Sequence, residues 1–471
     1  MSGCNHGKSK IMKTIIRYLG LAVLGFGLFT GCSKKPATTE WSLDKSEVSG
    51  QLKNFIAAQE SQSRALAAKE GITLPPEFET FYKAAEKGDW QTATNSFETL
   101  QKRLWNPTNT VEHRGSWWPA TMDAYGVFEL FPSGGEKYAI AFGNDIIKSI
   151  PDGSVYFGGT DPGRFLVTAL SESHADGKPF FTLTQNALAD GTYLQYLRGM
   201  YDGKIYTPSG EDSQRCFQEY LEDAKRRQQN HQLKPGEDVR IDNGRVQVSG
   251  QVAVMSINAL LTKVIFDKNP DREFYIEESF PLDWMFPHLE PHGLIMKINR
   301  QPLTGFSDEM VRGDRDYWTK YIQPMIGDWL NKDTSIEEIT AFAEKVFARQ
   351  DLSGFKGDPH FAQNSDAQKE FSKLRSSIGG LYAWRAQNAT DASEKERMND
   401  AADFAFRQAF TLCPYSPEAV FRYVNLLTSQ NRGADALLVA ETASKMPAMK
   451  GRDGDQVRNL VRQLEQFRKA K

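Results

Sequence analysis

The chain has 471 residues, with 57 Lys and Arg against 60 Asp and Glu, a formal net charge of −3, and 40% hydrophobic and 11% aromatic residues. That length holds two to four domains of ordinary size, and 29 Phe with 9 Trp exclude a disordered chain. Four Cys exclude a disulfide scaffold, the charge balance gives no basis for nucleic-acid binding, and a single apolar run excludes a polytopic membrane protein.

Residues 12–32, MKTIIRYLGLAVLGFGLFTGC, place Lys13 and Arg17 before a short apolar stretch, Leu19 to Phe29, and then Thr30 and Gly31 before Cys32. That order is a secretory signal, too short for a comfortable membrane span. The small pair directly before a cysteine resembles a bacterial lipobox, with Phe29 where Leu is more usual; the competing reading is a plain hydrophobic helix that ends in cysteine. The resemblance implies that Cys32 is acylated and becomes the mature N-terminus, with 1–31 as signal peptide and 32–47 as a polar tether. Met12 fits a start better than Met1. Residues 1–31 carry Lys8, Lys10, Lys13 and Arg17 and no acid, so their removal shifts the net charge from −3 to −7. Two acyl chains supply the two signals that stable anchoring needs. The expected address is the cell membrane or outer membrane, lipid-anchored and periplasm-facing, and Ser33 favours the outer one. Cys216 and Cys413 sit among apolar helix residues and are expected as buried free thiols.

Residues 48–149 have helical periodicity. FETFYKAAEKGDWQTATNSFETL (78–100) reads as a helical hairpin turning at Gly88-Asp89-Trp90, with Ala93, Phe97 and Leu100 inward. Helices are expected over 117–131 and 135–149, with Trp117-Trp118 as helix-entry packing or, alternatively, a sugar platform. From residue 150 the period changes: SVYFGG (154–159) and KPFFTLTQ (178–185) read as strands, each followed by a helix. A long helix spans 213–230, Asn243-Gly244 turns a hairpin in VRIDNGRVQV (239–248), and 257–269 returns to helix. REFYIEES (272–279) and GLIMKINR (293–300) read as strands around a short helix near Trp284. Alternating strands and helices make 150–305 an α/β domain with a small, mostly parallel sheet.

Residues 306–471 are helical. Ser335 lies three residues before Glu338, a capping box, with Ile336, Ile339, Phe342, Val346 and Phe347 on the inner face. In 401–443, Ala402, Phe406, Ala409 and Pro414 resemble the second-helix spacing of a tetratricopeptide repeat, and Ala436 and Ala443 recur 34 residues after Ala402 and Ala409. The fold class is therefore mixed: a small, mostly parallel α/β domain flanked by α-helical hairpins, with a tetratricopeptide-like C-terminal array.

Ligands of open α/β sheets sit at the carboxyl ends of strands, where helix N-termini offer free N–H groups to anions. GGTDPGR (158–164) occupies such an edge, so Gly158, Gly159, Asp161, Arg164, Asn186 and Glu277 are candidate ligand-binding residues, with Gln185, Asp190 and Glu278 nearby. The competing reading makes Asp161 a helix cap, Pro162 a first helical residue and the glycines a turn. Asp190 after the second strand and Glu277 and Glu278 in the third would offer paired carboxylates across a cleft for acid–base work on a glycoside; the competing reading is that they are solvated acids at strand ends. His288 and His292 have helical metal-pair spacing, but Pro291 disrupts such a helix and a loop is expected, with no metal and no cofactor.

PDGSVYFGGTDPGRFLVTAL (151–170) followed by FFTLTQNALADGTYLQYLR (180–198) is similar to the soluble C-terminal region of bacterial multi-spanning glycosyltransferases related to protein O-mannosyltransferases. NPDREFYIEESF (269–280) and GLIMKINR (293–300) resemble its later part, and the helical tail fits the layout. Gly158, Gly159, Asp161 and Asn186 match loop positions of that region. The multi-spanning part that carries catalysis has no counterpart here, so the resemblance implies a stand-alone relative of an accessory domain and carries over no catalytic residue. The leading expectation is a non-catalytic binding or scaffolding lipoprotein of the cell envelope whose C-terminal helices take a protein partner. The alternatives are a glycan-handling enzyme or sugar-binding accessory protein using the edge near Asp161, and a purely structural envelope protein.

Overall fold

The computed structural model describes residues 47–105, 114–130, 136–159, 161–234, 236–242, 245–277 and 282–469. The signal peptide, the tether, Cys32, Asn243-Gly244 and Glu278 lie outside the described residues. The chain divides into two compact units at residue 278.

The first unit opens with α1 (Glu47–Glu70), α2 (Pro76–Lys87) and α3 (Trp90–Leu104). Gly88, at φ 72°, ends α2 in the left-handed conformation that glycine adopts freely. The Asp89 carboxylate then accepts the Thr92 N–H at 3.1 Å and starts α3, which buries Ala93, Phe97 and Leu100. Next come α4 (Trp117–Leu130) and α5 (Glu136–Ser149). Trp117 and Trp118 are buried at the start of α4, with Trp118 stacked on Phe97 at 5.3 Å between ring centres. They are core residues and not a sugar platform.

Strands β1 (Val155–Gly158), β2 (Phe181–Thr184) and β5 (Phe274–Glu277) form a parallel sheet in the order β2-β1-β5. Every residue of all three is buried, as expected of parallel strands covered on both faces. α6 (Asp161–Leu170) connects β1 to β2, and α7 (Gly191–Tyr201), α8 (Gly210–Gln229) and α9 (Gln251–Lys268) follow β2. The antiparallel ribbon β3 (Asp238–Asp242) and β4 (Arg245–Ser249) pairs Asp242 with Arg245, which leaves a two-residue connection. Tyr220, Ala224, Val239 and Ala253 bind this ribbon to α8 and α9 through a small apolar core.

The second unit begins with the antiparallel hairpin β6 (Leu289–His292) and β7 (Ile295–Ile298), turned by Gly293 at φ 59°. The residues around Trp284 form turns, and the short helix lies just after them, as a 3-10 turn at Phe286–His288. PHLEPH is therefore not a loop: His288 ends that turn with Nδ1 2.7 Å from the Asn299 carbonyl, and Pro291 and His292 belong to β6. An extended strand tolerates Pro291 where a helix would not. The helices are α10 (Asp308–Ile326), α11 (Ile336–Ala343), α12 (Pro359–Gln363), α13 (Ser365–Asn388), α14 (Ala392–Leu412), α15 (Pro417–Ser429), α16 (Gly433–Ser444) and α17 (Gly451–Lys469). Ser335 and Glu338 form the reciprocal capping box of α11, which runs on into a π-turn over Glu344–Ala348. Ile336, Ile339, Val346 and Phe347 are buried there and Phe342 partly so.

α13 and α14 pack so closely that a Cβ on Gly379 would lie 2.9 Å from the Phe406 ring. The Ser372 hydroxyl donates to the Ala409 carbonyl at 2.8 Å across the same seam. Ala402, Ala409, Ala436 and Ala443 are fully buried, and Pro414 is buried in the link to α15. α13 and α14 have 24 and 21 residues, against 13 and 12 for α15 and α16. The starts at Ser365, Pro417 and Gly451 are accordingly 52 and 34 residues apart, so only α15–α16 has the 34-residue period. The chain is thus mixed α/β, mostly helical with little sheet, and among the described residues no helix is long and apolar enough to cross a membrane.

Candidate functional site at the carboxyl edge of the parallel sheet

β1 is flanked by β2, reached through α6, and by β5, reached much later. The ends of β1 and β5 therefore form the switch point at which open α/β sheets bind ligands. Sequence reasoning placed its candidates on this edge, and the structure brings most of them together. Glu277 ends β5 at 1% exposure, and its backbone carbonyl and carboxylate Oε2 accept the Gly159 N–H at 2.9 and 3.2 Å. The Asn186 side-chain N–H donates to the Gly159 carbonyl at 3.0 Å. Gly159 thus ties the ends of β1, β2 and β5 to one another.

The glycines answer to close approach. A Cβ on Gly163 would lie 1.8 Å from Glu277 Oε2, and one on Gly158 2.9 Å from the Gly163 carbonyl oxygen. The Tyr156 hydroxyl also donates to that carbonyl at 3.0 Å. Only bare backbone lets the first turn of α6 seat against the carboxylate.

Asp161 and Arg164 stand apart from that knot. Asp161 is mostly exposed and lies 3.4 Å from Arg164 Nη2, while the Arg164 guanidinium covers the Phe165 ring at 4.0 Å. Asp190 caps α7 by accepting the Thr192 N–H at 2.9 Å and pairs with Arg114 at 2.9 Å. Asn258, from the middle of α9, accepts the Ala189 N–H at 2.7 Å and donates to the Asn186 carbonyl at 3.0 Å. Gln185 is the exception: it is fully buried, and neither its Nε2 nor its Oε1 has a hydrogen-bond partner. Asn186 Oδ1 and Arg164 Nε, beside it on the same edge, are buried and unpartnered as well. Buried polar atoms are almost always satisfied, so these are the polar groups of the edge that the described residues themselves leave unmet.

Behind this edge runs a buried relay that sequence reasoning missed. The Tyr196 hydroxyl donates to Asp123 Oδ2 at 3.1 Å and lies 3.5 Å from His174 Nε2, and His174 Nδ1 lies 3.1 Å from the Tyr201 hydroxyl. Burial pushes Asp123 up to about 7, although the Arg164 charge and the Tyr196 hydrogen bond act the other way. Burial also drives His174 down to about 3. These four residues have no spacing that a motif could capture.

Cys216 and Cys413 are both buried and free, and burial pushes the Cys413 thiol up to about 12. Among the described residues no cluster of His, Cys, Asp or Glu could hold a metal ion. Comparison with protein-family models, with curated proteins and with solved structures returns no match.

Proposed function

We propose that this chain is a lipid-anchored binding protein of the cell envelope, tethered through Cys32 and facing the periplasm, whose C-terminal helices hold a protein partner. The observation that carries the reading is the α15–α16 unit. It has a 34-residue period, and Ala436 and Ala443 are fully buried at the small positions where tetratricopeptide-like hairpins close on their neighbours. Such hairpins offer extended surfaces to partners. The state of Glu277 supports binding over acid–base chemistry: the carboxylate is buried and already spent on the Gly159 N–H.

Photo-crosslinking in membranes tests this with the full chain, because truncation between α13 and α14 would expose the Phe406 and Ala409 seam. A crosslinker at exposed Arg458 on α17 should capture a defined partner that one at exposed Glu222 on α8 does not. Equal capture at both positions, or none at Arg458, overturns the reading.

A second reading is favoured by Gln185: the edge near Asp161, Arg164, Asn186 and Glu277 binds a glycan, as an accessory domain of the glycosyltransferases that the segment resembles would. The unpartnered amide of Gln185 is suited to sugar hydroxyls, which donate and accept alike.

A further inference from the structure

The second unit holds a half-open cavity of about 330 Å³ lined by α10, α13 and α14, at the low end of the range for small-molecule pockets. Its floor is fixed by Arg375, which is 1% exposed. Arg375 Nη1 donates to both Asp314 oxygens at 3.1 and 2.8 Å, and Nε donates to Gln408 Oε1 at 2.7 Å. The guanidinium lies 5.2 Å from the Trp318 ring centre, and the Tyr382 hydroxyl donates to the same carboxylate at 2.9 Å. α10 and α14 thus hold one guanidinium of α13 in place, and its Nη2 is left without a hydrogen bond among the described residues.

The other charges sort into paired and unpaired. Arg315 pairs with Asp316 at 3.0 Å and Arg397 with Asp308 at 2.9 Å. Arg312, Lys332 and Asp400 line the cavity, are exposed, and make no ion pair among the described residues. The lining thus holds five cations, Arg312, Arg315, Lys332, Arg375 and Arg397, against three carboxylates, Asp308, Asp314 and Asp400, and Asp316 and Glu394 meet Arg315 and Arg397 from outside it. Val311 and Phe404 supply apolar wall between these groups.

We infer that this cavity binds a small hydroxylated molecule bearing one oxyanion, of the class of a sugar phosphate or a sugar acid. Arg312, Lys332 and the free edge of Arg375 take the oxyanion, since guanidinium groups match the geometry of phosphate and carboxylate oxygens. Asp400 accepts from hydroxyls, and Phe404 packs on the carbon skeleton. This site lies outside the sheet edge described above and is independent of a protein partner on α15–α17.

The test is calorimetric titration of the full chain in detergent with glucose 6-phosphate, glucuronate and glucose. At least one charged probe is expected to bind about tenfold or more tightly than glucose, and to lose about tenfold in affinity in Arg312→Gln/Lys332→Gln at an unchanged melting temperature. The phosphate and uronate arms tell which oxyanion the site selects. Binding of neither charged probe, glucose binding as tightly as both, or unchanged binding in the double variant overturns the inference. Should the double variant melt early, Lys332→Gln alone is judged by the same criterion.

Discussion

Each unit buries an aspartate beneath a tyrosine hydroxyl, and the two solve the same problem in opposite ways. Asp314 receives the Tyr382 hydroxyl at 2.9 Å and a two-oxygen contact from Arg375, so its charge is met by a charge. Asp123 receives the Tyr196 hydroxyl at 3.1 Å, and Arg164 acts on it only at longer range, so burial prevails and the carboxyl is pushed up to about 7. Burial and the Asp314 charge push the Tyr382 phenol well above its usual value. One buried carboxylate thus has an arginine as its ion-pair partner, whereas the other, with only a hydroxyl beside it, is a carboxyl that takes up a proton near neutrality.

The largest effect should come from removing the arginine. Arg375→Met strands Asp314 without a compensating charge and should cost about 3–5 kcal/mol, read from urea unfolding. Replacing the pair together, Arg375→Met with Asp314→Leu, should recover most of that loss, because the cost belongs to the unpaired charge. A single-variant loss under about 1 kcal/mol would break the comparison.

A smaller effect separates the two members of the relay by pH. In the folded chain Asp123 keeps its proton up to about pH 7, but unfolded it loses it near pH 4, so stability falls as pH rises through that window. His174 is lowered to about 3 from an unfolded value near 6.5, so the unfolded chain binds its proton first and stability falls as pH drops through 6.5. Between about pH 4.5 and 6 the slopes oppose each other, each up to about 1.4 kcal/mol per pH unit. Melting temperature in the wild type should be nearly flat there. Asp123→Asn should make it fall on acidification and His174→Gln should make it rise; parallel profiles in all three proteins would remove the relay from the account.

These networks show where the sequence stops being legible. Local chemistry was readable: Gly88-Asp89 turned the first hairpin, Ser335 and Glu338 formed their box, and Asn186 and Glu277 met at the predicted edge. Each of these rests on short-range rules or on the topology of βαβ units. The Tyr196–Asp123 and Arg375–Asp314 bonds span 73 and 61 residues and rest on helix packing, which no local period encodes. The Gly163 contact with Glu277 was hidden for the same reason, since a glycine beside a strand end reads as a turn until the carboxylate appears against it. PHLEPH failed differently: two prolines suggested a loop, yet a short antiparallel strand accommodates Pro291.

The smallest test compares the two hydroxyls. Tyr382→Phe removes a donor to an ion-paired carboxylate and should cost about 1.5–3 kcal/mol, the range for hydrogen bonds to charged groups. Tyr196→Phe at pH 6 removes a donor to a carboxyl that is mostly protonated, and should cost about 0.5–1.5 kcal/mol. At pH 8 Asp123 is mostly ionised, and the Tyr196→Phe loss should climb towards the Tyr382→Phe value when both are measured by urea unfolding. The phenol rings stay in place in both variants, so packing cancels and the difference reports the charge on each aspartate. If the Tyr196→Phe loss is the same at both pH values, Asp123 carries the same charge at both, and its distinction from Asp314 fails.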